Sequence, residues 1–170
     1  MIYEVLSEIK DRLNQHFRLR FGLPEDKLFL SGLVDAGGAA AIDNDLVVMM
    51  PINIQEEKHV YNRRNTNEPP FISLNVLVLI TTTFSGKNAA EGLKFLTETV
   101  SFFMQNNAMD IEGNRIAIEY YNLDLQLQNN LWASLGAKYA PSVIYRISLI
   151  RIEEGMASLD INLASNFPTT

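Results

Sequence analysis

The polar and apolar residues of this chain follow the period of a helix at the start and again in the middle. Apolar residues recur every three or four positions over residues 2–21, which predicts an amphipathic helix that ends at Gly22 and Pro24. A second long helix is predicted over residues 87–107. Its apolar stripe is expected to consist of Ala89, Leu93, Leu96, Val100 and Phe103, with Phe95 and Phe102 beside it.

Other segments carry the short apolar runs or two-residue alternation that predict strands. They are residues 28–34, 46–57, 71–84, 115–123 and 142–153. Pro51 has no N–H to donate to a ladder, so its strand is predicted to be an edge strand or to contain a bulge. The sum is an α+β fold, in which a mixed, mostly antiparallel sheet of four to five strands is flanked by two long helices and one short helix.

The sequence before the last strand predicts that short helix and a rigid corner. Asp124 suits the N-cap position, and Gly136 suits the left-handed position that follows a last turn. Trp132 is expected to pack against the sheet. A corner could be made with any polar pair, so it explains Lys138 and Tyr139 less well than Trp132. The apolar face of the helix is expected to contain Leu127, Leu131 and Leu135.

One domain is predicted over residues 1–155 of the 170-residue chain. Residues 156–170 are expected to form a tail or one more edge strand, because apolar residues alternate there. Residues 58–70 are polar and are predicted to form an arm. Arg63 and Arg64 in this arm are candidates for contact with an acidic partner. In the predicted tail or edge strand, residues 156–170, the alternating apolar residues are Leu159, Ile161 and Leu163.

Composition excludes several classes of function. The chain has no cysteine, which excludes disulfides, thiolate metal sites and cysteine nucleophiles. The net charge of -6 argues against a surface for nucleic acid, because phosphates require clustered Lys and Arg. The first residues lack the order of a signal peptide, and no apolar run is long enough for a membrane span. We therefore expect the protein to be made and folded in the cytoplasm, with no nucleic acid and no membrane as partners.

No motif assembles a catalytic or cofactor site. The segment Ser-Gly-Lys-Asn at residues 85–88 lacks the first glycine and the final Ser or Thr of a phosphate-binding loop. Glu56 and Glu57 are neighbours on a strand, so they point to opposite faces and suit a surface contact better than acid–base catalysis. We predict no enzyme, no cofactor and no metal. A small-ligand binding module stays open as an alternative.

The segment at residues 130–147 is NLWASLGAKYAPSVIYRI, and it resembles a known signature. The signature is that of the N-terminal domain of the cap, or tube-terminator, protein of phage-tail-like contractile injection systems, of the antifeeding-prophage and Photorhabdus virulence cassette type. Further stretches fit the same family, and the similarity runs from residue 1 to about residue 152. These stretches are MIYEVL with Phe21-Gly22-Leu23, Val47-Val48 leading to Asn53-Ile54-Gln55-Glu56-Glu57, and Pro69-Pro70.

The resemblance implies a structural role without chemistry. Members of the family form a six-fold ring on the distal end of the inner tube, stop its growth and connect it to the contractile sheath. The implied partners are therefore further copies of the chain, the inner tube protein and the sheath protein. By matched position, the resemblance also implies that Trp132, Lys138 and Tyr139 form the fold corner and contacts with neighbouring chains. Many relatives carry an additional C-terminal domain, so the cap role is expected to be either complete here or shared with a longer paralogue. A ring-forming head–tail or baseplate adaptor stays open as an alternative.

Overall fold

The computed structural model describes residues 1–57 and 71–153, except for the side chains of Phe71 and residues 149–153. The predicted arm and the predicted tail or edge strand lie outside these residues. Three α-helices, six strands and one 3₁₀ turn at Gly86–Asn88 make up the described part. The helices are α1 (Ile2–Phe21), α2 (Ala89–Gln105) and α3 (Leu125–Leu135). The strands are β1 (Leu28–Leu30), β2 (Val47–Glu56), β3 (Phe71–Thr82), β4 (Ala108–Ile111), β5 (Asn114–Tyr120) and β6 (Ser142–Glu153).

The six strands form one mixed sheet in the order β1-β2-β3-β6-β5-β4. Only β1 and β2 pair in parallel, and the other neighbouring pairs are antiparallel. The predicted α+β class is confirmed, but the sheet has six strands rather than four to five. The difference is β4, whose four residues are too few to show a period of two.

Helices α1 and α2 cover one face of the sheet, which we call the helix-layer face. Phe17 lies at its centre and is fully buried, with its ring centroid 5.1 Å from that of Phe95. The opposite wall comes from alternate strand residues such as Val78, Ile80 and Ile118. Alternation in the strands and the 3.6-residue period of the helices therefore build one shared core. In β6, burial and then the neighbouring Tyr120 raise the pKa of Tyr145 to about 12, so its phenol stays neutral in this core.

The predicted apolar stripe of α2 is right at Leu96 and Phe103, and wrong at Ala89 and Leu93, which are exposed. Leu93 is 53% exposed, whereas Gly92 is buried against β3. A Cβ on Gly92 would lie 2.6 Å from Oγ1 of Thr82, so the helix approaches the sheet where its side chain is absent. The residues buried along α2 are Gly92, Phe95, Leu96, Thr99, Phe102 and Phe103.

The outer edge of β1 is closed by a side chain of α1. Asn14 is 1% exposed; its Nδ2 donates to the carbonyl oxygen of Leu28 at 2.8 Å, and its Oδ1 accepts from the Leu28 N–H at 2.9 Å. The Lys27 N–H donates to the same Oδ1 at 3.2 Å. The side-chain amide of Asn14 thus makes the backbone hydrogen bonds that a neighbouring strand would otherwise make. These bonds explain how β1, with only three residues, is held at the edge of the sheet.

Pro51 marks a change along β2. The pairing with β3 shifts between Pro51 and Asn53, so the predicted bulge is confirmed. Because β1 pairs only with Val47–Met49, no described strand lies beside β2 after Met49. Within residues 1–57 and 71–153, the second half of β2 is therefore also an edge, in agreement with the prediction made from the proline.

Helix α3 packs on the opposite face of the sheet, which we call the α3 face. Trp132 is the only residue buried on this helix, and it packs with Leu79 of β3 and Ile144 of β6. Half-buried leucines flank the contact, whereas Leu127 is 52% exposed. The predicted leucine face of α3 is thus wrong at Leu127, and Trp132 forms the centre of the contact instead. No helix in the described ranges is long and apolar enough to cross a membrane.

Candidate assembly surface

The corner from Asp124 to Ser142 is built as the sequence predicted. The carboxylate of Asp124 accepts from the Leu127 N–H at 2.8 Å and caps α3. Gly136 ends the helix with φ of 67°, a left-handed conformation that glycine adopts without strain. The carbonyl oxygen of Pro141 accepts from Oγ1 of Thr81 at 2.9 Å, which ties the end of the corner to β3.

Trp132 and Tyr139 form an aromatic pair at this corner. Trp132 is 4% exposed, as its position predicted, and Tyr139 is 64% exposed. Their ring centroids lie 5.6 Å apart in an edge-on arrangement that is favourable for aromatic pairs. Nε1 of Trp132 is buried and has no hydrogen-bond acceptor within the described residues. The exposed ring of Tyr139 therefore contacts Trp132 on one side and is accessible to another chain on the other.

Lys138 lies beside this pair and is exposed. Its ammonium group forms no ion pair with any residue that the structure describes. A flexible, hydrated cation of this kind can reach a carboxylate on a partner without first breaking an internal contact. The structure therefore places Trp132, Lys138 and Tyr139 together, with one residue inside the fold and two on its surface.

Glu56 and Glu57 lie at the other end of the sheet. The corner enters β6 next to Thr81, whereas Glu56 pairs with Leu74, seven residues further along β3. At about 3.3 Å per residue, the two ends are roughly 23 Å apart. Glu57 accepts from Nδ2 of Asn75 through Oε2 at 2.7 Å. The predicted site residues therefore form two separate groups, and Arg63 and Arg64 lie outside the described residues.

The first turn of α3 is exposed, which was not predicted from the sequence. Leu125 is 80% exposed and Leu127 is 52% exposed. The signal was present in the sequence, because residues 125–137 contain no charged side chain. A surface helix normally places charged residues on its outer face, and depletion of charge is typical of the centre of an interface.

The described residues show no arrangement for metal chemistry. No three His, Asp or Glu side chains in residues 1–57 and 71–153 lie close enough together to hold a metal ion. Asp35, which precedes the pair Gly37-Gly38, has a structural role. Its Oδ1 accepts hydrogen bonds from the N–H groups of Gly37 at 2.8 Å and Ala39 at 2.9 Å. The side chain closes the loop as an Asx turn.

Comparison with known proteins identifies the family. The family described as the Pvc16 N-terminal domain matches residues 4–158. This chain belongs to the Pvc16 N-terminal domain family. The match spans the corner, the whole sheet, α2, α3 and all of α1 except its first two residues, in agreement with the resemblance found in the sequence. No curated protein matches the chain significantly.

Two solved structures share the fold of this Pvc16 N-terminal domain. One is the tube-terminating cap of the anti-feeding prophage, with 16% identity, a TM-score of 0.60, and coverage of 86% of this chain and 54% of the cap chain. The other is the sheath/tube terminator of an extracellular contractile injection system in its extended state. It has 17% identity, a TM-score of 0.53, and coverage of 95% of this chain and 60% of the terminator chain. The chain thus spans little more than half the length of each relative.

Proposed function

We propose that this protein is a structural assembly protein that caps the inner tube of a contractile injection system. In this proposal, six copies form a ring on the distal end of the tube, stop its growth and join it to the sheath. The protein acts without catalysis or a cofactor, assembles in the cytoplasm and then becomes part of the particle. The observation that carries the proposal is the family match across residues 4–158, and the fold shared with two terminators supports it.

The described surface is compatible with such a role. A ring of identical copies that closes by rotation needs two different surfaces that fit each other. The α3 face offers a candidate surface, because the described residues cover it with one short helix and the loop that contains Leu33, and because Tyr139 and Lys138 are exposed there. The helix-layer face is closed by a large core, so an assembly contact on the α3 face leaves that core undisturbed.

Electron microscopy of particles from cells with and without the gene tests termination. We expect long tubes of variable length in the deletion, and normal lengths when the gene is restored on a plasmid. Normal particles in the deletion would contradict the cap role. Particles of normal length that lack a head–tail or baseplate component would favour the adaptor role instead.

The corner residues are proposed to contact a neighbouring chain in the ring. We expect Lys138→Glu and Tyr139→Ser to reduce attachment of the protein to tubes, because both side chains are exposed at one surface. Their effect on folding should be small, so the melting temperature serves as the internal control. Unchanged co-sedimentation with tubes would contradict a role of the corner in assembly.

The arm is proposed to reach an adjacent subunit or the tube through Arg63 and Arg64. The double variant Arg63→Glu/Arg64→Glu is expected to lose attachment to the particle, since it reverses the charge that an acidic partner would bind. A matched control is Lys94→Glu/Arg115→Glu, which makes the same change in net charge at side chains that are 60% and 72% exposed. Intact attachment of the arm variant would show that the arm is not the contact.

A further inference from the structure

The two faces of the sheet differ in how their buried polar side chains are bonded. On the helix-layer face, Asn14 makes three hydrogen bonds, and Oγ1 of Thr99 donates to a carbonyl oxygen one turn earlier in α2 at 2.8 Å. In the described ranges, the buried side-chain atoms without a partner are Nε1 of Trp132 and Oδ1 of Asn75. Asn75 is four positions from Leu79 in β3, so it lies on the same side of the sheet as Trp132. Both unsatisfied atoms are therefore on the α3 face.

Trp132 is the more informative of these two residues. The amide of Asn75 already donates through Nδ2 to Glu57, whereas the indole of Trp132 has a single polar group, which forms no hydrogen bond. A buried donor without an acceptor costs stability, and such groups are rare in folded proteins. An acceptor that comes from another chain would explain this donor.

Tyr139 separates the indole from solvent at the corner. Leu79 and Ile144 pack on Trp132 from inside the fold and are buried, whereas Tyr139 packs on it and is 64% exposed. The hydroxyl of Tyr139 forms no hydrogen bond with any residue in the part of the chain that the structure describes. Turning this ring aside therefore breaks van der Waals and aromatic contacts but no hydrogen bond among those residues. Another chain can displace it to reach the indole N–H.

Lys138 supplies a second donor beside Tyr139. It is the only charged residue between residues 125 and 145, and it forms no ion pair with a described carboxylate, including the aspartates of residues 35–45. Asp124 lies at the other end of α3, about 18 Å from Gly136 and more than twice the screening length of roughly 8 Å. The flexible stem of Lys138 lets its ammonium group reach an acceptor at Tyr139. Two donors, one of them cationic, fit the two oxygens of a carboxylate.

We propose that a carboxylate of a second copy displaces Tyr139 and accepts hydrogen bonds from Nε1 of Trp132 and Nζ of Lys138. The inference rests on the proposed function, because it names the atoms at one side of a contact between neighbours in the ring. A second copy can supply the group, since the chain has 20 acidic residues against 14 basic ones. Each contact sets one cation against the acidic surface of the next copy, which counters the repulsion between copies that each carry a charge of -6.

Removal of the indole N–H alone tests the hydrogen bond. Trp132→benzothienylalanine replaces this N–H by sulfur in a ring of the same shape, and the change is site-specific because the chain has one tryptophan. We expect about tenfold weaker attachment to tubes, since a hydrogen bond to a charged acceptor is lost. The midpoint of urea unfolding should stay equal or rise, because no unsatisfied donor remains at this position. Unchanged attachment at unchanged stability would overturn the proposal.

The natural protein provides a second measurement should the sulfur variant be unstable. The ultraviolet resonance Raman band that reports hydrogen bonding of the indole N–H comes from Trp132 alone. It is expected to change from the free to the bonded position when the protein assembles on tubes. A bonded N–H before assembly, or a free one after it, would overturn the proposal.

A photo-reactive residue identifies the partner. Tyr139→p-benzoylphenylalanine on capped tubes should give cross-linked pairs of this chain on illumination. The same replacement of Leu19, which is 81% exposed on α1, is the control and should give no such pair. A cross-link to the tube or sheath protein, or no cross-link, would overturn the contact with a second copy while the tubes in the same sample remain capped. Uncapped tubes in electron micrographs of the natural sample would instead overturn the proposed function.

Discussion

The two faces of the sheet are covered very differently. On the helix-layer face, α1 and α2 form a continuous core in which the rings of Phe17, Phe21 and Phe95 pack on one another. On the α3 face, one helix of eleven residues contacts the sheet mainly through Trp132. From this difference we expect the helix-layer face to supply most of the stability, and the α3 face to be the one that can contact another chain.

The largest effect is expected from a cavity in the helix-layer face. Phe17→Ala removes a fully buried ring, and we expect it to lower the free energy of unfolding by about 4 kcal/mol. The matched control Leu19→Ala alters a side chain on the same helix that is 81% exposed, and should change stability by less than about 0.5 kcal/mol. Urea unfolding measures both. Similar losses in the two variants would contradict the assignment of the core to this face.

A slightly smaller effect is expected at the edge of the sheet. Asn14→Ala leaves the N–H and the carbonyl of buried Leu28 without their side-chain partner, which should cost about 3 kcal/mol. Gln15→Ala is the control, because Gln15 is exposed on the same helix. Hydrogen exchange of the Leu28 amide gives a direct measurement. If its protection is unchanged in Asn14→Ala, the amide does not close this edge.

A modest effect is expected on the α3 face. Trp132→Phe removes part of a buried ring but also removes an indole N–H that has no acceptor within the described residues. The two changes oppose each other, so we expect a loss of only about 1 kcal/mol. Urea unfolding of Trp132→Phe beside Phe17→Ala compares the two faces directly. A loss as large as that of Phe17→Ala would show that the α3 face is as important for stability as the helix-layer face.

The smallest effect is expected where α1 and α2 meet on the outside. Burial raises the pKa of Glu98 and is the largest single influence, but the hydrogen bonds and charges of Arg20 and His16 together outweigh it, and the net pKa is lowered from 4.5. The folded state therefore favours the ionised form of Glu98 more strongly than the unfolded state does. The resulting stability is present above about pH 4.5 and is lost as the pH falls through the lower pKa of the folded state.

Glu98→Gln removes this pH-dependent contribution. At pH 7 we expect the variant to be less stable than the natural protein by about 0.5 kcal/mol, the size typical of an ion pair near the surface. The gap should narrow below pH 4.5 as the natural carboxylate becomes protonated. Urea unfolding at a series of pH values measures the gap. A gap that stays constant down to pH 3 would contradict the lowered pKa.

Much of this fold could be predicted from local patterns. Helix α1 occupies the predicted residues, because its periodic apolar positions end at a glycine and a proline. The cap at Asp124 and the bulge near Pro51 were also predictable, since each follows from the chemistry of one side chain. Trp132 was expected to be buried, and it is.

Other features depend on tertiary contacts that no local pattern contains. The face of α2 is centred near Gly92 rather than Leu93, because the helix approaches Thr82 where glycine leaves room. In the sequence, Asn14 looks like an ordinary polar residue of α1. Its three hydrogen bonds, to Lys27 and Leu28, form only when β1 packs beside the helix. The 80% exposure of Leu125 was likewise not predictable, because it depends on which other elements reach the start of α3. The assembly roles of Trp132, Lys138 and Tyr139 remain predictions.

The burial of Trp132 also gives the protein a built-in optical probe. It is the only tryptophan in the chain, so the intrinsic indole emission comes from the α3 face alone. A partner that shields Tyr139 would change the surroundings of this one fluorophore, whereas the helix-layer face contributes no indole signal. Binding of such a partner can thus be followed by the emission wavelength and quenching of unlabelled protein, with Trp132→Phe as the reference that has no indole emission.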